Sequence, residues 1–597
     1  MIELFQAQVA RTPDTTALVV GDRALSYREL EQASAALAGR LVENGVRPGR
    51  TVCLYLNQSA DTVVGMLAAL RTGASWAVIE PHHPLSRIRA LLADSDCAAI
   101  VHSGADTAAS DTPLWTALAA SGDGPRLVDI DVPEQATTSA VPVHEDACAY
   151  LIFTSGTTGT PKAVMVSRGQ LATAVAARNA WARGGRPVFL VVMSMSFDGA
   201  LGDLFWTLGQ GGTAVFPDRR QLPNPVEVAR LAREHAATHT FVVPSFYRLL
   251  LDHARSLTSL TLAIVGGEVC TRELAKRHQE KLPATELVNI YGPTETVVSC
   301  TAHRVDASAP TVPIGKPCPG ARALVLDERL QPVPTGTTGE LYIGGFVAMG
   351  YAARPALTAE RFVADPTGHG PGERLYRTGD LASVNERGEL EFHGRVDHQV
   401  KIRGNRVELG EIEHVLEEHP AVRQVVAVFG HGQLVAFLVA DTTGADRPST
   451  LVLREFCRAH LVEHAIPERF EWIDRLPVTA TGKADRAALA ARISAGSPVD
   501  APGHEEWSSV QNTVAAAWTA VLGHAESGLR DNFFVVGGTS LKLIDLFERL
   551  EETWPGAINI AELFDLPTIE KQAEVITRSQ GGAGGRDEQA IPRRFEV

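Results

Sequence analysis

The sequence predicts an α/β protein with a large layered unit, a smaller α/β unit and a C-terminal all-helical unit. Three observations predict it. The chain has 597 residues, more than one hydrophobic core organises. Up to about residue 385 it alternates helix-period segments with short β-rich runs, the pattern of helices layered on a sheet. Beyond that point the texture changes twice, first to a charge-dense stretch from Gly394 and then, past a Pro/Gly/Ser-rich stretch, to helical periodicity alone.

In chain order, Ser26 stands three residues before Glu29, the spacing of a capping box, so Leu25–Leu30 opens a helix. Met66–Leu70 reads as a helix stopped by Gly73, followed by a buried strand up to Pro81. Val188–Met193, Phe241–Val243 and Leu262–Val265 read as further short strands. Gly394–Glu413 is dense in charge and then turns helical, opening the smaller unit. Ser494–Gly503 has linker composition. Val510, Val514, Trp518, Val521 and Leu522 fall at helical spacing, as do Ile544, Phe547 and Leu550. The Gly-rich stretch after Gly581 is expected to be disordered. The expected divisions are 1–395, 396–492, a linker at 493–504, the helical unit at 505–580 and a tail at 581–597.

Composition excludes several classes. A formal charge of −15 argues against a nucleic-acid surface, which needs clustered positive charge. The seven cysteines are scattered without paired spacing, so they read as free thiols in a reducing compartment. The N-terminus lacks a basic run before an apolar one, and no apolar run reaches the length of a membrane span. A cytoplasmic protein with no nucleic-acid and no membrane partner is expected.

The stretch from Tyr150 to Lys162 carries the first chemistry. A strand-like run delivers the backbone into Thr154, Ser155, Gly156, Thr157, Thr158 and Gly159, closed by Lys162. Glycines let main-chain N–H groups approach an anion, the hydroxyls add donors, and the lysine adds a point charge. The spacing is not that of a P-loop, because the glycines are too close and Pro161 precedes the lysine. By composition alone the stretch is either a phosphate cradle or a solvated turn.

Asn289–Thr296 (N-I-Y-G-P-T-E-T), Gly339–Gly345 (G-E-L-Y-I-G-G), Tyr376–Asp380 (Y-R-T-G-D) and Gly394–Asp397 (G-R-V-D) follow that loop in order. Together these motifs resemble adenylate-forming enzymes, and more narrowly the adenylation domains of nonribosomal peptide synthetases, over roughly residues 1–490. Asp531–Ser540 (D-N-F-F-V-V-G-G-T-S) resembles a peptidyl carrier domain, with Thr539 where the usual pattern carries His or Asp. The resemblance implies a large adenylate-forming domain, a small mobile α/β subdomain and a four-helix-bundle carrier.

It also implies roles. The amino-acid carboxylate would attack the α-phosphate of ATP, two anions that must be held together by cations and donors. Glu295 would hold Mg²⁺, Thr294 would donate to the α-phosphate, and the glycine-rich loop would cradle the phosphates. Asp380 would take the ribose hydroxyls, Tyr291 the adenine face and Asn289 its edge, and Arg395 would reach the ribose. Lys483, in Thr481–Arg486, would be the catalytic lysine of the small subdomain. Asp397 would be the hinge about which that subdomain rotates, exchanging Lys483 for the loop near Gly404. Ser540, heading a helix, would carry 4′-phosphopantetheine.

For the substrate, Asp198 would pair with an α-ammonium group, which favours an α-amino acid. The pocket lining maps to Gly199, Gly202, Val242, Ile264, Gly266, Ile290, Val298 and Ser299. Two glycines leave volume and none of these residues is charged, so a neutral, bulky, apolar or aromatic side chain is expected. The implied function is self-loading of a didomain. Because the chain starts near the adenylation motifs and stops after the carrier, delivery in trans to a condensation or tailoring enzyme is expected. A phosphopantetheinyl transferase is implied, and an MbtH-like helper is common in the family. The competing classes are a ligase that delivers to free coenzyme A, and a non-catalytic nucleotide-binding scaffold that would lack Glu295, Asp380 or Lys483.

Overall fold

The computed structural model describes residues 1–21, 23–104, 124–132, 138–156, 161–180, 185–217, 224–368, 370, 372–397, 399–402, 404–441, 447–478, 484–494, 507–522, 527–533, 536, 538, 540–558, 562–563 and 566–581. Thr157, Thr158, Gly159 and Lys483 lie outside the described residues, as do most of the expected linker and tail. The chain divides into two compact units, Met1–Glu411 with Ala459–His464, and Ile412–Arg458 with Ala465–Val597.

In the first unit, β1 (Cys148–Thr154) and β2 (Lys162–Ser167) belong to a sheet whose order is Gly350–Tyr351, β2, β1, Ser75–Ile79, Thr51–Tyr55, Cys97–His102, Arg126–Asp129. Its inner strands are parallel and buried along their whole length, which is why Thr51–Tyr55 and Ser75–Ile79 show no polar alternation. β1 and β2 pair antiparallel with Thr154 opposite Lys162, so the pairing returns the lysine to the mouth of the loop. Helix Tyr27–Glu43 opens on the Ser26–Glu29 capping box, and helix Ala60–Thr72 ends at Gly73 in the left-handed region.

The second sheet carries α1 (Asp198–Gly209) against it and runs Lys316–Pro317, Thr301–Arg304, Glu286–Tyr291, Leu262–Gly266, His239–Val242, Val188–Val191, Thr213–Phe216, Thr16–Val20, Arg23–Ser26. Its strands β3 (His239–Val242), β4 (Leu262–Gly266) and β5 (Glu286–Tyr291) are parallel neighbours. Val242, Gly266 and Tyr291 therefore leave the sheet at one edge, the edge where ligands bind in open α/β sheets. A third sheet contains β6 (Arg374–Val384) and β7 (Leu390–Arg395), paired so that Asp380 faces Arg395. Next comes a hairpin, β8 (Gln399–Ile402) and β9 (Asn405–Glu408), which belongs to the first unit.

The second unit contains a sheet of Val422–Gly430, Gln433–Ala440 and Arg469–Trp472, over which Ile493 and Leu489 pack. Arg486 holds Glu413 through both terminal guanidinium nitrogens at 2.6 and 3.1 Å. Farther along, helix Ser509–Leu522, α2 (Ser540–Thr553) and helix Ile569–Gly581 share a core around Trp518, Leu546 and Ile576. The Trp518 indole donates to Gln572 at 2.8 Å, satisfying the polar edge of a buried ring. Among the described residues no helix is long and apolar enough to cross a membrane.

Candidate active site

The site is assembled at the end of β5. Gly292 leads the chain into a single turn, Thr294–Thr296, and a Cβ there would stand 2.7 Å from both Ser299 Cα and the Val298 carbonyl oxygen. Only glycine permits that approach. Val297 and Val298 then take φ of 56° and 73°, a conformation that β-branched residues avoid. Strain of this kind persists where surrounding structure over-determines it, which is common at functional sites. Here it turns Glu295 inward, fully buried.

A buried carboxylate needs cations. Burial pushes Glu295 upward, but Arg406 and Lys162 outweigh it and hold its pKa well below the usual carboxylate range. Arg406 Nη1 lies 2.8 and 3.0 Å from its two oxygens, and the Tyr351 hydroxyl donates at 2.7 Å. Lys162 Nζ stands 3.5 Å away and 4.8 Å from the Tyr351 ring centroid. Burial and the neighbouring Arg406 lower the Lys162 pKa to about 8. The Ser155 hydroxyl donates to the Arg406 carbonyl at 2.8 Å, so the phosphate-loop stretch and the β8–β9 hairpin are tied together. The Thr154 hydroxyl is buried without a hydrogen-bond partner among the described residues.

Asp380 sits in a second cluster. Its carboxylate accepts from the Tyr291 hydroxyl and from Arg395. Arg395 also holds Asp397 at 2.6 and 2.8 Å, joining the expected ribose acid to the expected hinge. Gly379, with φ of 75°, leaves the space that Arg395 and Asp397 enter. Lys401 Nζ lies 5.8 Å from the Tyr291 ring centroid. Asn289 turns its amide to the Pro313 carbonyl at 2.9 Å, a structural bond inside the sheet edge.

Asp198 begins α1, half-buried, with its Oδ2 out of contact with solvent. Burial raises its pKa to about 6, opposed by the Gly199 and Val298 N–H groups and the Thr294 hydroxyl. Its Oδ2 has no hydrogen-bond partner among the described residues. Thr294 thus reaches Asp198 here, and Glu295 reaches the hairpin.

The lining set falls on α1, β4, β5 and the strained turn, with one difference. Val242 lies on the opposite face of β3, packed with Val265 and Leu231, while Phe241 faces Ile264 and Ile290. A slip of one residue along a strand exchanges its faces, so Phe241, not Val242, is on the face of Ile264 and Ile290. Gly202 opens no room either, because Arg178 fills the space beside it.

Arg406, Lys401, Tyr351 and Phe241 are the site residues that motif matching passed over. The signal for the first two was the charge density of 399–408 in an acidic protein.

Glu295 offers the hard, ionised oxygen donors that Mg²⁺ takes, so the residue fits the metal. In this structure Arg406 engages both of those oxygens. The carrier helix α2 begins at Ser540, so first-turn N–H groups adjoin the residue expected to hold a phosphate-linked arm.

The AMP-binding enzyme model matches residues 5–352, the AMP-binding enzyme C-terminal domain 411–483, and the phosphopantetheine attachment site 512–576. Phosphinothricin tripeptide synthetase PhsC of Streptomyces viridochromogenes is 37% identical over 571 residues, covering 95% of this chain and 52% of that protein. Tyrocidine synthase 3 of Brevibacillus parabrevis is 35% identical over 593 residues, covering 97% of this chain and 9% of that protein. The chain thus spans about half or less of the length of these relatives. The solved structure of holo-PA1221, an NRPS protein containing adenylation and PCP domains, superposes with a TM-score of 0.79 at 27% identity, covering 97% of this chain and 96% of that one. This chain belongs to the AMP-binding enzyme family, as an adenylate-forming ligase of the nonribosomal peptide synthetase type with a phosphopantetheine carrier domain in the same chain.

Proposed function

We propose that the chain activates an α-amino acid with ATP and loads it onto its own carrier domain at Ser540. The observation that carries this reading is Asp198. A buried carboxylate oxygen without a partner among the described residues is a recognition point for a cation, and an α-ammonium group supplies it. A fatty or aryl acid would leave that oxygen desolvated and unpaired.

In the first half-reaction a carboxylate oxygen of the amino acid attacks the α-phosphorus, and pyrophosphate departs with the electron pair of the broken P–O bond. Lys162 and the Thr154 hydroxyl would meet the phosphates, and Asp380 with Tyr291 and Arg395 would receive the nucleoside. Glu295 would hold Mg²⁺, which neutralises phosphate charge. Lys483 would bridge the substrate carboxylate and the nucleotide. In the second half-reaction the arm supplies the thiol that displaces AMP. The β8–β9 hairpin, with Arg406 on Glu295, is the arrangement we assign to that step, and Asp397 to the hinge. The expected domain divisions, with the small subdomain starting at 396, belong to this proposal.

A loaded carrier is a substrate for another active site. We propose a condensation or tailoring enzyme as its consumer, a phosphopantetheinyl transferase as the modifying partner, and an MbtH-like protein as a helper. Amino-acid-dependent ATP–pyrophosphate exchange tests the reading. It is expected in the wild type and lost in Asp198→Asn. Exchange supported only by carboxylic acids without an α-amine would overturn it.

A further inference from the structure

The glycines that suggest a roomy pocket are already filled by the protein itself. A Cβ at Gly199 would stand 2.8 Å from Phe241 Cε1 and 3.0 Å from Met193 Sδ. One at Gly266 would stand 2.8 Å from Ile290 Cγ1 and 3.3 Å from Phe241 Cε2. The opposite edges of one ring therefore face α1 and β4. One at Gly202, a helical turn deeper along α1, would stand 2.3 Å from Arg178 Nη2.

These fillers are held in place. Phe241 is buried in the core that contains Ile264 and Ile290. Arg178 is 3% exposed, and its Nη1 lies 3.0 Å from Asp203, itself 1% exposed. Withdrawing the guanidinium from Gly202 would strand a buried carboxylate without its counter-ion. A close-packed wall of this kind does not yield a methylene without cost.

Asp198, the anchor for the ammonium group, adjoins Gly199. A side chain leaving the substrate's α-carbon toward α1 and β4 therefore meets the Phe241 ring almost at once. We propose that this pocket is built for an α-amino acid whose side chain is no larger than a methyl or hydroxymethyl group, with Phe241 closing its wall and Arg178 its floor. The inference rests on the proposed amino-acid activation, and it replaces the expectation of a bulky apolar substrate.

The test is an ATP–pyrophosphate exchange panel over the proteinogenic amino acids, using the full chain co-produced with an MbtH-like protein. Glycine, alanine or serine should support exchange. Leucine, phenylalanine, tyrosine and tryptophan should fall behind by at least about a hundredfold in kcat/KM, since each misfit methylene costs about 10- to 200-fold. Phe241→Ala, with Phe241→Leu as the milder variant, should narrow that gap by about tenfold or more for leucine. A wild type that prefers leucine or an aromatic amino acid overturns the inference. So does a gap that neither variant moves. Exchange with no amino acid at all overturns the proposed activation, and this inference with it.

Discussion

Asp198 shows how a single side chain couples packing to chemistry. Burial raises its pKa to about 6, above the ordinary value of about 3.9. Between those values the folded chain binds a proton that the unfolded chain has released. Stability from this group therefore falls as pH rises through the window, and the full cost is present above about pH 6. Substrate binding runs the other way, because the ammonium group needs the ionised form. We predict that kcat/KM for the amino acid falls about tenfold per unit below pH 6, while a pH-independent background would sink this role. In the sequence, Asp198 was legible through Ser196–Ala200, but its unpartnered oxygen was not. Neither was the face taken by Phe241, since β3 is too short and too uniformly buried for alternation to set its register.

At the scale of elements, the β8–β9 hairpin is the part that sequence reasoning located without seeing its contacts. Its charges stood out, yet only folding shows that Arg406 closes on Glu295 and that Gly404 packs against Val243. Gly404 has φ of 76°, and a Cβ there would stand 2.4 Å from Val243 Cγ1. Gly404→Val should therefore keep the hairpin off the site. We predict that thioester formation slows at least about tenfold, about 1.4 kcal/mol, while pyrophosphate exchange stays within about threefold. Equal losses in both half-reactions would mean that the hairpin serves the adenylation state as well. The capping box of Tyr27–Glu43 and the Gly73 stop were legible because local hydrogen bonding sets them. The sheet order was not, because strand neighbours are chosen by long-range packing.

For the whole molecule, the family models match three regions, residues 5–352, 411–483 and 512–576. The compact units divide differently, since residues 396–411 pack with the first unit. Charge texture marks where a segment begins, not which body it joins, and the hairpin's ion pairs bind it to the larger one. Ser540→Ala should leave exchange unchanged and abolish self-loading, because activation and attachment lie on different domains. A variant that still loads would place the attachment elsewhere.

Intact-protein mass spectrometry tests self-loading most directly. The protein is treated with a phosphopantetheinyl transferase and coenzyme A, then with ATP, Mg²⁺ and glycine, alanine or serine. One pantetheine arm at Ser540 is expected, followed by one small aminoacyl group that depends on ATP. An arm that never forms, or one that loads only a non-amino acid, would contradict self-loading with an amino acid.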